Sequence, residues 1–301
     1  MIRIGTRKSD LALWQANQVK NRLEERGHAC TLVPIESSGD QNLIEPIYAM
    51  GIQGVFTKSL DQALLNDSID LAVHSLKDVP TVLPKGIEIV ACLERGAALD
   101  VIVYHPHFEG WKKSSTVGTG SLRRKAQWLR KYPNHRIENL RGNLQKRFEK
   151  LESSDWGGAI FAQAGLERLG LQKKNTAILD WMIPAPAQGI IGVAARSENR
   201  EIQNLIRPLN CDNAALCAVV ERSFLNTLEG GCTAPIGAHA RIENNTIHFH
   251  GGLFSLDGSQ VFEHKSETML AHGENLGKNS ALQLLDEGAA QLMQIIKAEL
   301  K

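Results

Sequence analysis

From Ile2 the chain alternates short apolar strands with amphipathic helices, stops at Gly96-Ala97, and begins the same alternation again. A strand–helix rhythm of this kind folds into a sheet with helices on both faces, and a rhythm that restarts makes two such units. Ile2-Arg3-Ile4-Gly5-Thr6 opens as a strand. Ser9 can cap a helix carrying Leu11, Trp14, Val19 and Leu23 that stops at Gly27, and Thr31–Ile35 is a second strand. A helix over 57–66 and strands over 69–74 and 87–93 complete the first round, for which the pattern predicts a mainly parallel sheet. The second round reads as strands at 100–104, 116–118, 136–140 and 158–162, with helices opening at Ser121, Asn143 and Gln163. Ile190–Arg196 is again a buried strand, expected to return to the first sheet. Two crossings make a hinged, two-lobed molecule, and Ile183-Pro184-Ala185-Pro186 just before the return suits the hinge.

From Asp212 the pattern changes. Asp212 can cap a long helix through Glu229, extended runs at 246–254 and 260–266 flank the turn Leu256-Asp257-Gly258-Ser259, and a helix from Ala281 to Leu300 ends the chain. The fold class expected is α/β: two doubly wound domains plus a small C-terminal α+β domain with an antiparallel sheet. The boundaries read as 1–95 with 190–211, then 96–189, then 212–301. For 301 residues, two or three domains is the natural division.

A formal net charge of +1 gives no reason to expect nucleic acid or a membrane surface as partner. No signal-peptide core and no apolar run long enough to span a bilayer is visible. Cys30, Cys92, Cys211, Cys217 and Cys232 are scattered and lack paired metal-ligand spacing, so no metal is expected and a reducing cytoplasm fits best. The first four read as structural.

The chemistry gathers in loops. Glu229-Gly230-Gly231-Cys232-Thr233-Ala234-Pro235 sets a thiol behind two glycines, which leave room for a bulky group beside the sulfur. An isolated cysteine is more often a small core hydrophobe; the company this one keeps argues otherwise. His74-Ser75-Leu76-Lys77-Asp78 ends the third strand, where open sheets put their ligand sites. Asp78 is the better catalytic candidate, because a carboxylate beside a cation can hold or pass a proton to nitrogen; His74 reads as structural, and a plain turn capped by Ser75 and Asp78 is the alternative. Gly118-Thr119-Gly120-Ser121-Leu122-Arg123-Arg124 puts adjacent arginines at a helix N-terminus, which attracts anions by itself. Arg7, Arg141 before Gly142, Arg147 and Arg168 repeat the theme at other strand ends. Arginine forks bind both oxygens of a carboxylate, and so many in a nearly neutral chain read as a cleft for a polyanion. Phosphate is disfavoured, since no P-loop is present.

With these motifs in order, the chain resembles the porphobilinogen deaminase (hydroxymethylbilane synthase) family along essentially its whole length. The resemblance rests on Gly5-Thr6-Arg7-Lys8-Ser9, Ala72-Val73-His74-Ser75-Leu76-Lys77-Asp78-Val79-Pro80, Gly118–Arg124, Leu140-Arg141-Gly142-Asn143, Ala164-Gly165-Leu166-Glu167-Arg168 and Glu229–Cys232. It implies two periplasmic-binding-protein-like domains and a third bearing the cofactor. It implies a transferase that condenses four porphobilinogen molecules head to tail, with loss of ammonia, into hydroxymethylbilane. The family's dipyrromethane primer is held by a thioether to a cysteine that matches Cys232, and its catalytic aspartate matches Asp78. Its cofactor contacts match Ser75, Lys77, Ser121, Arg123, Arg124 and Gly142, and its substrate-binding arginines Arg7, Arg141, Arg147 and Arg168. A monomer is implied, with hand-over to uroporphyrinogen III synthase a further expectation.

One departure stands out: Gln53 occupies the place of a family lysine in Met50-Gly51-Ile52-Gln53-Gly54. Ala185-Pro186-Ala187-Gln188-Gly189 also departs slightly from the family pattern. Two other readings compete: a solute-binding protein, which leaves Cys232 unexplained, and a thiol acyl transferase pairing Cys232 with a histidine such as His239.

Overall fold

The computed structural model describes residues 1–37, 54, 56–172, 175–228 and 234–300. Strands β1 (Ile2–Arg7), β2 (Cys30–Ile35), β3 (Leu71–Ser75) and β4 (Ile87–Cys92) make the first round, with helices Asp10–Glu24 and Lys58–Leu65. The second round holds β5 (Asp100–Tyr104), β6 (Thr116–Gly118), β7 (Arg136–Glu138), β8 (Gly158–Ala162) and β9 (Thr176–Ile178), before β10 (Ile191–Arg196) returns. The sheets run β2-β1-β3-β10-β4 and β7-β6-β8-β5-β9. The two doubly wound lobes expected from the sequence are present, and β10 rejoins the first sheet as its pattern required.

The first sheet is less parallel than its rhythm suggested. β1 pairs parallel with β2 and β3, but β10 is antiparallel to both β3 and β4. The cause is the crossing: β4 leaves towards the second lobe and β10 comes back beside it, with no helical crossover to turn it round. Helices cover both faces. Ala16, Val19 and Leu23 pack on Ile4, Leu71 and Val193, while Leu60 and Leu64 pack on Ile69, Ala72 and Ala194. At roughly 1.5–3 kcal/mol for each large apolar side chain buried, both faces are committed to the core. The strand ends are what remain for ligands.

The third unit starts with helix Asp212–Thr227 and adds β11 (Ile236–Glu243), β12 (Thr246–Phe254) and β13 (Val261–Met269), antiparallel in that order. The hairpin falls where its turn placed it. The closing helix starts earlier than expected and is two helices, Leu276–Leu284 and Ala290–Glu299, because Gly288 at φ 112° breaks the run between them. Phe254 and Val261 dock this unit on Ala126 and Ile183 of the second lobe. At the hairpin tip Gly258, at φ 76°, approaches helix Leu122–Lys131 so closely that an added Cβ would sit 2.2 Å from the Ala126 carbonyl oxygen. Among the described residues no helix is long and apolar enough to cross a membrane.

Candidate active site

β3 ends at Ser75, and one 3-10 turn, Leu76–Asp78, follows. Leu76 and Val79 are buried and pin the turn, which leaves Ser75, Lys77 and Asp78 half-exposed. The Asp78 carboxylate makes no hydrogen bond among the described residues. Gln15 Nε2 donates to Ser75 Oγ at 2.8 Å, and Arg7, the last residue of β1, sits over the Phe56 ring at 4.3 Å from its centroid. Arg7, Gln15, Ser75 and Asp78 line one small cavity of about 60 Å³. His74, inside the sheet, is pushed down to about 4 by burial, then by Arg7, and is neutral near pH 7. Burial also pulls Lys77 down to about 8, with Asp78 working the other way.

Across the cleft, Ser121 occupies the N-cap of helix Leu122–Lys131, its Oγ accepting from the Arg124 N–H at 3.4 Å. Arg123 and Arg124 are buried and converge on Asp100, the first residue of β5. Arg123 Nη1 donates to one Asp100 oxygen at 2.7 Å; Arg124 Nη2 and Nε donate to the other at 2.7 and 3.1 Å. Gln188 Nε2 adds a bond to Asp100 at 3.0 Å and accepts from Lys77 Nζ at 3.2 Å through Oε1. Burial works to raise the Asp100 pKa, but Arg123 and Arg124 outweigh it and hold the carboxylate far below its usual range.

At the next junction Gly142 takes φ 100°, a conformation that suits glycine, and Asn143 caps helix Leu144–Glu152 through the Lys146 N–H. Arg141 is buried, and Arg147 Nε donates to the Gly142 carbonyl at 2.8 Å. Burial depresses Arg147 to about 10; Arg124, Arg141 and Arg7 push the same way, while Asp78 opposes them. One electrostatic neighbourhood therefore holds Arg7, Arg124, Arg141, Arg147 and Asp78, drawn from both lobes.

Arg168 lies elsewhere. Its Nη2 donates to the Gly189 carbonyl at 2.6 Å, its guanidinium is 5.6 Å from the Trp14 ring centroid, and it lines a separate cavity of about 340 Å³ beside the hinge with Arg22 and Arg95. Burial lowers its pKa to about 10, with Glu167 opposing. Cys232 with its glycines Gly230 and Gly231, and also Gln53, lie outside the described residues. His239 sits half-buried on β11, where burial lowers its pKa.

Sequence reasoning missed a second set of charges. Glu221, with no exposed surface, accepts from Arg95 Nη1 at 2.5 Å and from the Ala187 and Ala240 N–H groups at 2.6 Å each. It thereby joins the third unit to both crossings. Its signal was in the sequence: Ala214, Cys217, Ala218, Glu221, Phe224 and Leu225 form one apolar stripe. A carboxylate inside such a stripe must be paired.

Buried and half-buried cations from both lobes, several of them held below their ordinary pKa by burial, define a two-lobed α/β protein with a basic site between its lobes. That donor set fits a pyrrole chain bearing acetate and propionate groups. Residues 2–204 match the family model "Porphobilinogen deaminase, dipyromethane cofactor binding domain", and residues 215–286 match "Porphobilinogen deaminase, C-terminal domain". A porphobilinogen deaminase of Carboxydothermus hydrogenoformans is 40% identical over 98% of this chain and 97% of its own. Another, from Desulfitobacterium hafniense, is 40% identical over 100% and 99%. A periplasmic substrate-binding protein of an ABC transporter from Coxiella burnetii matches in structure with a TM-score of 0.44 at 13% identity, over 74% of this chain and 97% of that one. The chain belongs to the porphobilinogen deaminase family. It is a transferase of porphyrin biosynthesis, and its cofactor is dipyrromethane.

Proposed function

We propose that this enzyme condenses four porphobilinogen molecules head to tail into hydroxymethylbilane on a dipyrromethane primer bound by a thioether to Cys232. The observation that carries the reading is one cavity lined by Arg7, Ser75 and Asp78, with Arg147 close enough to feel the charges of Asp78, Arg7, Arg124 and Arg141. When bound, the dipyrromethane supplies the terminal pyrrole carbon to which the first substrate ring is joined. At each addition the substrate's C–N bond breaks, a C–C bond forms, and the proton lost from the ring carbon balances the ammonia that leaves. Asp78 has open lone pairs for pyrrole N–H groups, and its charge stabilises the positive charge that builds on the substrate ring.

The arginines answer the other demand. Six rings bring roughly a dozen carboxylates, each costly to bury unpaired, and a charge-assisted bond returns about 1.5–3 kcal/mol. Arg123 and Arg124, with Ser75, Lys77, Ser121 and Gly142, hold the primer; Arg7, Arg141, Arg147 and Arg168 receive substrate and the lengthening chain. Arg168 at the hinge suits a later, longer stage. Residues 1–95 with 190–211, 96–189 and 212–301 act as three domains, a division supported by one sheet in each. The enzyme works as a cytoplasmic monomer and passes its product to uroporphyrinogen III synthase.

The test is attachment. Cys232→Ser is expected to give folded protein without the two-pyrrole adduct in its intact mass and without activity, since a hydroxyl is a poor substitute for a thiolate. An active Cys232→Ser protein carrying two pyrroles would sink the assignment.

A further inference from the structure

The turn that carries Asp78 is held from outside its own lobe. After β3 ends, the Leu76 carbonyl accepts the Val79 N–H at 3.2 Å, while those of Val79 and Pro80 have left the sheet ladder and need donors. One side chain reaches all three. Arg222, on the middle of helix Asp212–Thr227, donates through Nη1 to Val79 O at 2.8 Å and Leu76 O at 3.4 Å, and through Nη2 to Pro80 O at 2.6 Å. Around this clamp Leu76 and Val79 pack on Ala214 and Ala218 of the same helix. Thr81 Oγ1 donates to Asn226 at 3.1 Å one turn further along. A lysine ammonium at this place is a point charge; the planar fork reaches three acceptors spread along a turn.

The next residue back, Glu221, fixes the same helix to both hinge crossings. Cys232 follows the C-terminal end of this helix in sequence. We propose that Arg222 is a positioning residue for Asp78. It sets the height and tilt of the carboxylate from the unit that carries the cofactor, so that the aspartate and the tethered chain share one frame of reference. The inference rests on the assignment of Asp78 to the reaction.

The experiment uses holoenzyme and compares Arg222→Met, Arg222→Lys, Asp78→Asn, the two Arg222 variants combined with Asp78→Asn, and Thr81→Val. Retained primer is read from the intact mass, and kcat and KM for porphobilinogen from hydroxymethylbilane formation. Arg222→Met is expected to keep its primer and a KM within about threefold of the parent, while kcat falls about a hundredfold, the scale of a 1 Å misplacement. Arg222→Lys should lie between. Because Arg222 acts through Asp78, adding either Arg222 change to Asp78→Asn should cost little more than Asp78→Asn alone. Thr81→Val loosens the same contact without touching the clamp and should keep its kcat.

An unchanged kcat in the Arg222 variants, or losses that multiply on an already crippled Asp78→Asn, overturns the positioning role alone. So does an equal kcat loss in Thr81→Val. Near-normal turnover by Asp78→Asn overturns both this inference and the reading beneath it. If Arg222→Met does not fold, the Arg222→Lys cycle decides by the same criteria.

Discussion

Asp78 and Asp100 stand at the ends of strands in opposite lobes and have opposite surroundings. Asp100 has no exposed surface, and both its oxygens are taken by Arg123, Arg124 and Gln188. Asp78 is half-exposed on a short turn, accepts no hydrogen bond among the described residues, and faces Arg147 and Lys77 at a distance. The first is a counter-ion that keeps two arginines charged in a dry place. The second has lone pairs left open among the described residues. A carboxylate's partners, more than its position at a strand end, separate structure from chemistry.

The largest effect expected from this contrast is on stability. Asp100→Asn leaves Arg123 and Arg124 buried without a balancing charge, which costs about 3–5 kcal/mol by the usual scale of a broken buried ion pair. Urea unfolding of the apoprotein measures it, and a loss below about 1 kcal/mol would erase the distinction. Asp78→Asn should do the reverse: stability within about 0.5 kcal/mol of the parent, cofactor attached, and turnover down by at least roughly a hundredfold. Near-normal hydroxymethylbilane formation would make Asp78 a plain turn residue.

The arginines sharpen the comparison. Arg124→Leu, which also strips Asp100 of a partner, is expected to yield mainly apoprotein. Arg7→Leu or Arg168→Leu should keep the primer and stall elongation, visible as a ladder of pyrrole additions in mass spectra after brief exposure to porphobilinogen. Identical species from Arg7→Leu and Arg124→Leu would end this division of labour.

The smallest effect is on pH dependence. Burial depresses Lys77 from its ordinary 10.5 to about 8. Below about 8 the amine is charged in folded and unfolded chains alike, and the fold bears the full cost of the buried charge. Between about 8 and 10.5 it is neutral only when folded, so this group's contribution favours folding increasingly as pH rises. Carboxylate binding goes the other way. Turnover should fall as pH passes about 8, where the neutral amine holds the primer's carboxylates less well, and Lys77→Met should flatten that fall.

The alternation of strands and helices made both lobes legible, and β10 could be assigned to the first sheet from its apolar run alone. β11 was hidden because Gly237, Ala238 and Ala240 carry no β-branched signature, although from Ala238 onward the strand alternates between faces. β9 is a three-residue edge, too short for any period to show. The multi-residue motifs located Ser75, Lys77, Asp78 and the arginines. The pairing of Arg123 and Arg124 with Asp100 was invisible, because a lone acid at the head of an apolar strand looks like a solvated end. Arg95 and Gln188 act through contacts 126 and 111 residues away in the chain, distances at which no local pattern speaks.

Glu221 has one consequence for how the molecule comes apart. Three sheets joined by two thin crossings would ordinarily melt piecemeal, each lobe at its own temperature. A wholly enclosed carboxylate that takes bonds from Arg95 on the outgoing crossing, Ala187 on the returning one and Ala240 in β11 acts as a rivet through all three parts. Loosening Arg95 leaves the enclosed carboxylate without its counter-charge, and loosening Ala187 or Ala240 leaves it one donor short. Opening any one of the three joints therefore carries a cost at the same buried carboxylate, which ties the unfolding of the three parts together.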